Sequence, residues 1–194
     1  MPAAITEEQQ ETDRRRLLDV AEDLFYRRGV QAVGMDELRA ASALPLKRMY
    51  RLFPTKEALV VAMLERRDRR WRGSLAEYVG GVADPRERVL AMFDWLGVWF
   101  AEPGFRGCAW VNAHGELGPS APAITAVARA HKRAFHDQVV ELVSGVDASI
   151  AEAVYLLAEG AIVVAGVQGD PSAAERARAG AQTLLGGQGA AAGR

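Results

Sequence analysis

Apolar residues along this chain recur at intervals of three and four, and no segment alternates apolar with polar residues between turn signals, so burial is available to it chiefly through helices. Leu17, Ala21, Leu24 and Phe25 share one face, leaving Arg14 to Arg16, Asp19, Glu22 and Asp23 to water. An all-α protein of nine helices follows. Thr6 and Gln9 suit a capping box, and Gly29 suits the stop. Two short helices come next, 35–42 with Leu38 and Ala41 inward and 46–52, with Pro45 in the first turn of the second and Pro54 after it. Thr55 then caps a long helix through "ERRDRRWR". Asp84 and Pro85 open a helix carrying Val89, Phe93, Leu96, Trp99 and Phe100, and "EPGFRG" ends it. After a segment at 107–117, Ser120 is placed to cap a helix with Ile124, Ala128, His131, Phe135 and Leu142 on one stripe. Asp147 starts a strongly apolar helix, Asp170 with Pro171 starts the last, and the tail "GGQGAAAG" is expected to fray.

With 194 residues, 49% of them hydrophobic and 25% charged, the composition is that of a soluble globular protein. No run approaches the roughly 18 uninterrupted apolar residues of a membrane span, and the first residues lack the apolar core of a signal peptide, so a cytoplasmic, nucleoid-associated protein without membrane contact is expected. The single cysteine, Cys108, excludes an internal disulfide framework, and with three histidines neither a metal site nor a cofactor is expected. The net charge of -1 hides an asymmetry. Between Arg14 and Arg72 there are 15 Lys/Arg against 8 Asp/Glu, whereas from Gly73 onward there are 9 against 13. A basic N-terminal unit on a mildly acidic remainder points to a polyanionic partner.

Two short helices joined by a three-residue turn, the second bearing Lys47, Arg48 and Arg51, fit a helix-turn-helix whose second helix enters the major groove of double-stranded DNA. Leu38, Leu44, Met49 and Phe53 would hold the pair together, leaving Leu46, Lys47 and Arg48 to face bases. Arg48 or Lys47 can donate to guanine O6 and N7, and Leu46 can touch a thymine methyl. Tyr50 and Lys56 are placed to donate to phosphates. With Gly34 and Met35 at the start of the preceding helix, these residues make up the expected DNA-contacting set. One such helix covers few base pairs, so a symmetric dimer on a palindromic operator is expected.

The stretch from Ala21 to Leu59, with Tyr50, Phe53, Lys56, Glu57 and Leu59 as its closing signature, resembles the DNA-binding domain of the TetR family of bacterial transcriptional regulators. The resemblance implies a helix-turn-helix domain over 10–55, a C-terminal ligand-binding and dimerisation domain over 56–188, and a disordered tail at 189–194. Gly34 stands where the family usually has a small hydroxyl residue, Ala43 and Pro45 replace its usual glycine and serine, and Leu52 replaces a frequent histidine. Its function would be that of a homodimeric repressor released by an unidentified small-molecule inducer.

For that ligand, Trp95 and Trp99 lie four apart, Trp110 lies four from His114, and Asn112 lies four from Cys108 and from Glu116, so polar groups can converge on a partly apolar site. The resemblance places dimerisation on the last two helices, with Leu157, Ala161, Val164, Ala177, Ala181 and Leu184 as the expected interface. Two alternatives stand beside it: a constitutive DNA-binding dimer without a ligand, and an enzyme using Cys108, His114 and Glu116 as nucleophile, base and orienter. The third lacks an oxyanion-hole motif, and no enzymatic activity is expected.

Overall fold

The computed structural model of the chain describes residues 6–187. Within them run nine α-helices: α1 Glu7–Arg28, α2 Met35–Ser42, α3 Leu46–Leu52, α4 Lys56–Gly80, α5 Pro85–Phe100, α6 Ala109–Leu117, α7 Pro122–Ser144, α8 Ala151–Gln168 and α9 Ala173–Gly186. The all-α reading holds, and most helix ends carry the local chemistry that sets them. Thr6 and Gln9 close a reciprocal capping box, each bond 3.2 Å long. At the other end of α1, Gly29 takes a φ of 88° and donates its N–H to Phe25 O. Thr55 Oγ1 accepts from Ala58 N at 3.0 Å, and Asp84 Oδ1 accepts from Glu87 N at 2.9 Å with Pro85 opening α5.

Elsewhere the ends differ from expectation for local reasons. Ser120 does not cap α7; its hydroxyl donates 3.1 Å back to Leu117 O, tightening the turn after α6, and α7 starts at Pro122. Asp147 caps a 3-10 turn, Ala148–Ile150, that leads into α8. Asp170 accepts from the N–H and hydroxyl of Ser172, so α9 begins two residues past Pro171, and α6 begins at Ala109. Pro45 precedes the first turn of α3 as its N-cap residue. On α2 the inward residue beside Leu38 is Ser42, not Ala41, which is exposed. On α7, Val139 and Val143 take the buried places at the end of the stripe and Leu142 is half-buried.

Among the described residues the chain gathers into two compact units. One holds the residues up to Asp68 with Ala109–Arg129, and the other holds Arg69–Cys108 with the residues from Ala130 onward. The unit containing the helix-turn-helix thus extends past the expected 10–55 stretch, and the tail expected at 189–194 lies outside the described residues. In the first unit α1, α2 and α3 pack on one another around Leu17, Leu38, Leu44, Met49 and Phe53. The first half of α4 is tied to α1 through Glu22, which accepts from Arg66 at 3.0 Å and from Arg67 at 2.8 Å, while Arg67 also lies 4.3 Å over the Tyr26 ring.

The second unit packs α5 and α8 against α9. Its aromatic centre is Trp71, whose ring meets Trp95, Trp99, His131 and Phe135 edge-on at centroid distances of 4.9, 5.3, 5.4 and 5.0 Å. Backbone meets backbone closely at Gly107 and Gly166, where a Cβ built on Gly166 would lie 2.8 Å from Gly107 Cα. Backbone cannot yield as a flexible side chain can. Gly166→Ala is therefore expected to destabilise the protein by about 1 to 3 kcal/mol, read as a lower urea midpoint at unchanged slope.

Candidate nucleic-acid interface

The turn between α2 and α3 is built against a local preference. Ala43 closes α2 in the left-handed region, φ 54° and ψ 26°, the only non-glycine residue with positive φ among those described. Pro45 follows at φ -59° and ψ 139°, and its carbonyl accepts from the N–H groups of Arg48 and Met49 at 2.8 and 3.1 Å. Leu44, Met49 and Phe53 are all but fully buried beside Leu38. That burial decides which side of α3 is left to solvent: Leu46, Lys47, Tyr50 and Arg51 are exposed, Tyr50 at 43%. Lys47 and Arg51, four apart, form no ion pair among the described residues.

Arg48 sits differently. Its Nη1 lies 2.8 Å from Asp13 Oδ2 on α1, with the Arg48 side chain 27% exposed. Lys56 is half-buried, with Nζ 5.7 Å from the Phe25 ring centre; burial pushes its ammonium below the ordinary lysine range, and the nearby Glu116 carboxylate works against that shift. Gly34, at the N-cap of α2, supplies no side-chain cap and has open space where a Cβ would stand; Met35 is half-buried. Asp13 is not among the residues that the sequence singled out. The signal was there: Asp13 lies four before Leu17 and eight before Ala21, on the buried stripe of α1.

Residues 17–63 match the family model described as bacterial regulatory proteins, tetR family. The crystal structure of SCO4454, a TetR-family transcriptional regulator from Streptomyces coelicolor, is 31% identical and superposes with a TM-score of 0.81 over 91% of this chain and 95% of that one. The chain belongs to the TetR family of transcriptional regulators. The TetR helix-turn-helix is matched in curated proteins too. The HTH-type transcriptional repressor NemR of Escherichia coli K12 is 33% identical over 106 residues, 54% of this chain and 53% of NemR. An uncharacterised HTH-type regulator of Mycobacterium tuberculosis is 36% identical over 75 residues, 39% of this chain and 37% of its own length. The match thus spans about half the length of these curated relatives or less.

In this TetR-family chain the six residues expected around a ligand are divided between the two units. Trp95 and Trp99 are buried in the aromatic centre of the second, where Trp95 Nε1 donates to Ser74 Oγ at 3.3 Å. Trp110 is buried in the first unit, and Asn112 and His114 are exposed on α6, with His114 Nδ1 3.2 Å from Thr125 Oγ1. Glu116 holds the α1–α2 loop: its carboxylate accepts from Gln31 N at 2.9 Å, and its carbonyl from the Gln31 side chain. It also fills the space beside Gly29 that a Cβ would need.

The expected interface residues are likewise redistributed. Ala161, Ala177 and Ala181 are buried within the chain because α8 packs on α9 and α5, and Leu157 lies against Gly180 of α9. Val164 and Leu184 are half-buried. The apolar residues that α8 leaves exposed are Leu156, Val163 and Val167, at 58, 51 and 81%, with exposed Gly160 between them.

Left-handed Ala43 keeps a Cβ clash of about 1 kcal/mol that glycine would lack. Ala43→Gly is expected to raise thermal stability by about that amount, less some unfolded-chain entropy, without altering the affinity for DNA; calorimetry and a DNA-binding titration check the two halves.

Proposed function

We propose that this regulator acts as a homodimeric repressor, with one α3 from each copy in a major groove of a palindromic operator and with release triggered by a small molecule. The observation that carries the reading is the exposed, unpaired Lys47 and Arg51 on the solvent side of α3. Most other cations of the N-terminal unit are spent internally: Arg66 and Arg67 on Glu22, Arg27 on Asp23, Arg28 on Glu37 and Arg39 on Asp36. Of the exposed cations left over among the described residues up to Asp68, two of three, Lys47 and Arg51, stand on α3, where a helix can enter a groove, and the third is Arg16 on α1. Leu46 and Lys47 in the first turn face bases, and Tyr50 and Arg51 a turn later reach phosphates.

Dimerisation through α8 rests on its uncovered stripe. Ala148–Gln168 has a mean hydropathy of 1.8 over its best 18-residue window, yet only 39% of that window is buried within the chain. Leu156, Gly160, Val163 and Val167 recur at helical spacing on one side, and a second copy of the same helix related by a two-fold axis would cover them. Two charged residues, Glu152 and Glu159, interrupt the helix, which favours a protein partner over lipid; Glu159 is held by Lys132 at 2.6 Å.

For the inducer, the second unit offers a groove of about 850 Å³ between α4, the start of α5 and the end of α7. That is a drug-sized volume. Val79, Pro85 and Leu142 supply its apolar surface, and Arg69, Arg72 and Arg88 outnumber Asp137 and Glu141. A ligand there would release DNA by preferring the conformation in which the two α3 helices no longer match the operator, a difference of about 3 to 5 kcal/mol. The groove favours this over a constitutive DNA-binding dimer, and the relatives, all regulators, favour it over catalysis.

Affinity for the operator is expected to fall steeply with salt, and Arg51→Ala should flatten the log–log slope by about two for the dimer; a slope near zero would sink electrostatic docking. Val163→Glu should convert the dimer to monomers in light scattering and abolish operator binding at nanomolar protein, while leaving the helical circular dichroism intact.

A further inference from the structure

Asp13 occupies a position where a carboxylate is expensive. It is 8% exposed, on the same stripe of α1 as Leu17 and Ala21. Its Oδ2 accepts no well-aligned hydrogen bond, and the one cation in contact with it among the described residues is Arg48, 2.8 Å away. Arg14, next along α1, has its guanidinium 4.5 Å over the Phe53 ring. A buried carboxylate near DNA also opposes binding through phosphate repulsion. Yet the pair sits at the third residue of α3, flanked by exposed Lys47 and Arg51. The closest approach to the carboxylate is through Arg48 Nη1, and no hydrogen bond among the described residues engages Nε or Nη2, two donors that lie parallel on one edge of the guanidinium.

We propose that Asp13 is a specificity-determining positioning residue: it fixes the Arg48 guanidinium so that its free edge donates in bidentate fashion to O6 and N7 of a guanine in each half-site. This rests on the docking of α3 in the major groove proposed above. Asp13 touches no base. It lowers affinity for DNA in general and raises the preference for one base pair.

The test begins with double-stranded sequences selected from a random pool by the full-length protein. Affinities of wild type, Asp13→Asn, Arg48→Lys, Arg48→Ala and the Asp13→Asn/Arg48→Ala pair are then measured for the selected site, its single-base variants and random duplex. Wild type should lose about ten-fold for each G·C pair replaced, and so about a hundred-fold when one pair is changed in both half-sites. Asp13→Asn and Arg48→Lys should relax that pair and no other, the double variant should match Arg48→Ala, and Asp13→Asn should bind random duplex several-fold more tightly. A merely structural ion pair would instead weaken selected and random DNA alike. That result, or an Arg48→Ala protein with every base preference retained, overturns the proposal while leaving groove docking intact; wild type that selects no sequence overturns the docking itself. Should Asp13→Asn melt early, Arg48→Lys, which keeps the charge pair and loses the fork, decides the question.

Discussion

A seven-residue helix cannot hold itself together in water, because nucleation costs more than about two turns of hydrogen bonds return. α3 exists only because Met49 and, just past its end, Phe53 are buried against Leu38 and the stripe of α1. That burial also aims it. With one side committed to the core, Leu46, Lys47, Tyr50 and Arg51 have nowhere to point but outward. The left-handed Ala43 and extended Pro45 let the chain turn from α2 into this orientation within three residues, and the strain at Ala43 is small beside the apolar area it allows to be buried.

Charge in the N-terminal unit divides into two populations that composition alone merges. Arg66 and Arg67 are only 18 and 16% exposed and are paired with Glu22, so they serve packing between α1 and α4. Exposed pairs such as Arg39 with Asp36 contribute little to stability. Of the exposed cations that form no ion pair, Lys47 and Arg51 stand together on α3 and Arg16 stands on α1. Glu116 belongs to the same theme from the other side: an acid at the end of α6, it spends its carboxylate on the Gln31 N–H and the space at Gly29.

α8 carries an analogous division of apolar surface. It is hydrophobic nearly all round, as a helix must be when buried from several directions. Ala158, Ala161 and Ala165 go to the interior, and Leu156, Val163 and Val167 remain in solvent.

Helix existence, most boundaries and the helix-turn-helix were legible in the residues because their causes are local: a Thr6 cap, a Gly29 stop, Pro54 and Pro85 as breaks, and apolar spacing of three and four. The errors were also local in kind, as at Ser120 and Asp170, whose side chains satisfy the preceding or following turn instead of the helix expected there. Sequence by itself determined that this is an all-α chain with the second helix of a helix-turn-helix at 46–52. Only tertiary structure decided that Arg48 meets Asp13, that Glu116 serves the α1–α2 loop, and which side of α8 is left bare. Those outcomes depend on which helix faces which, and periodicity gives each helix a buried side without naming the partner that buries it.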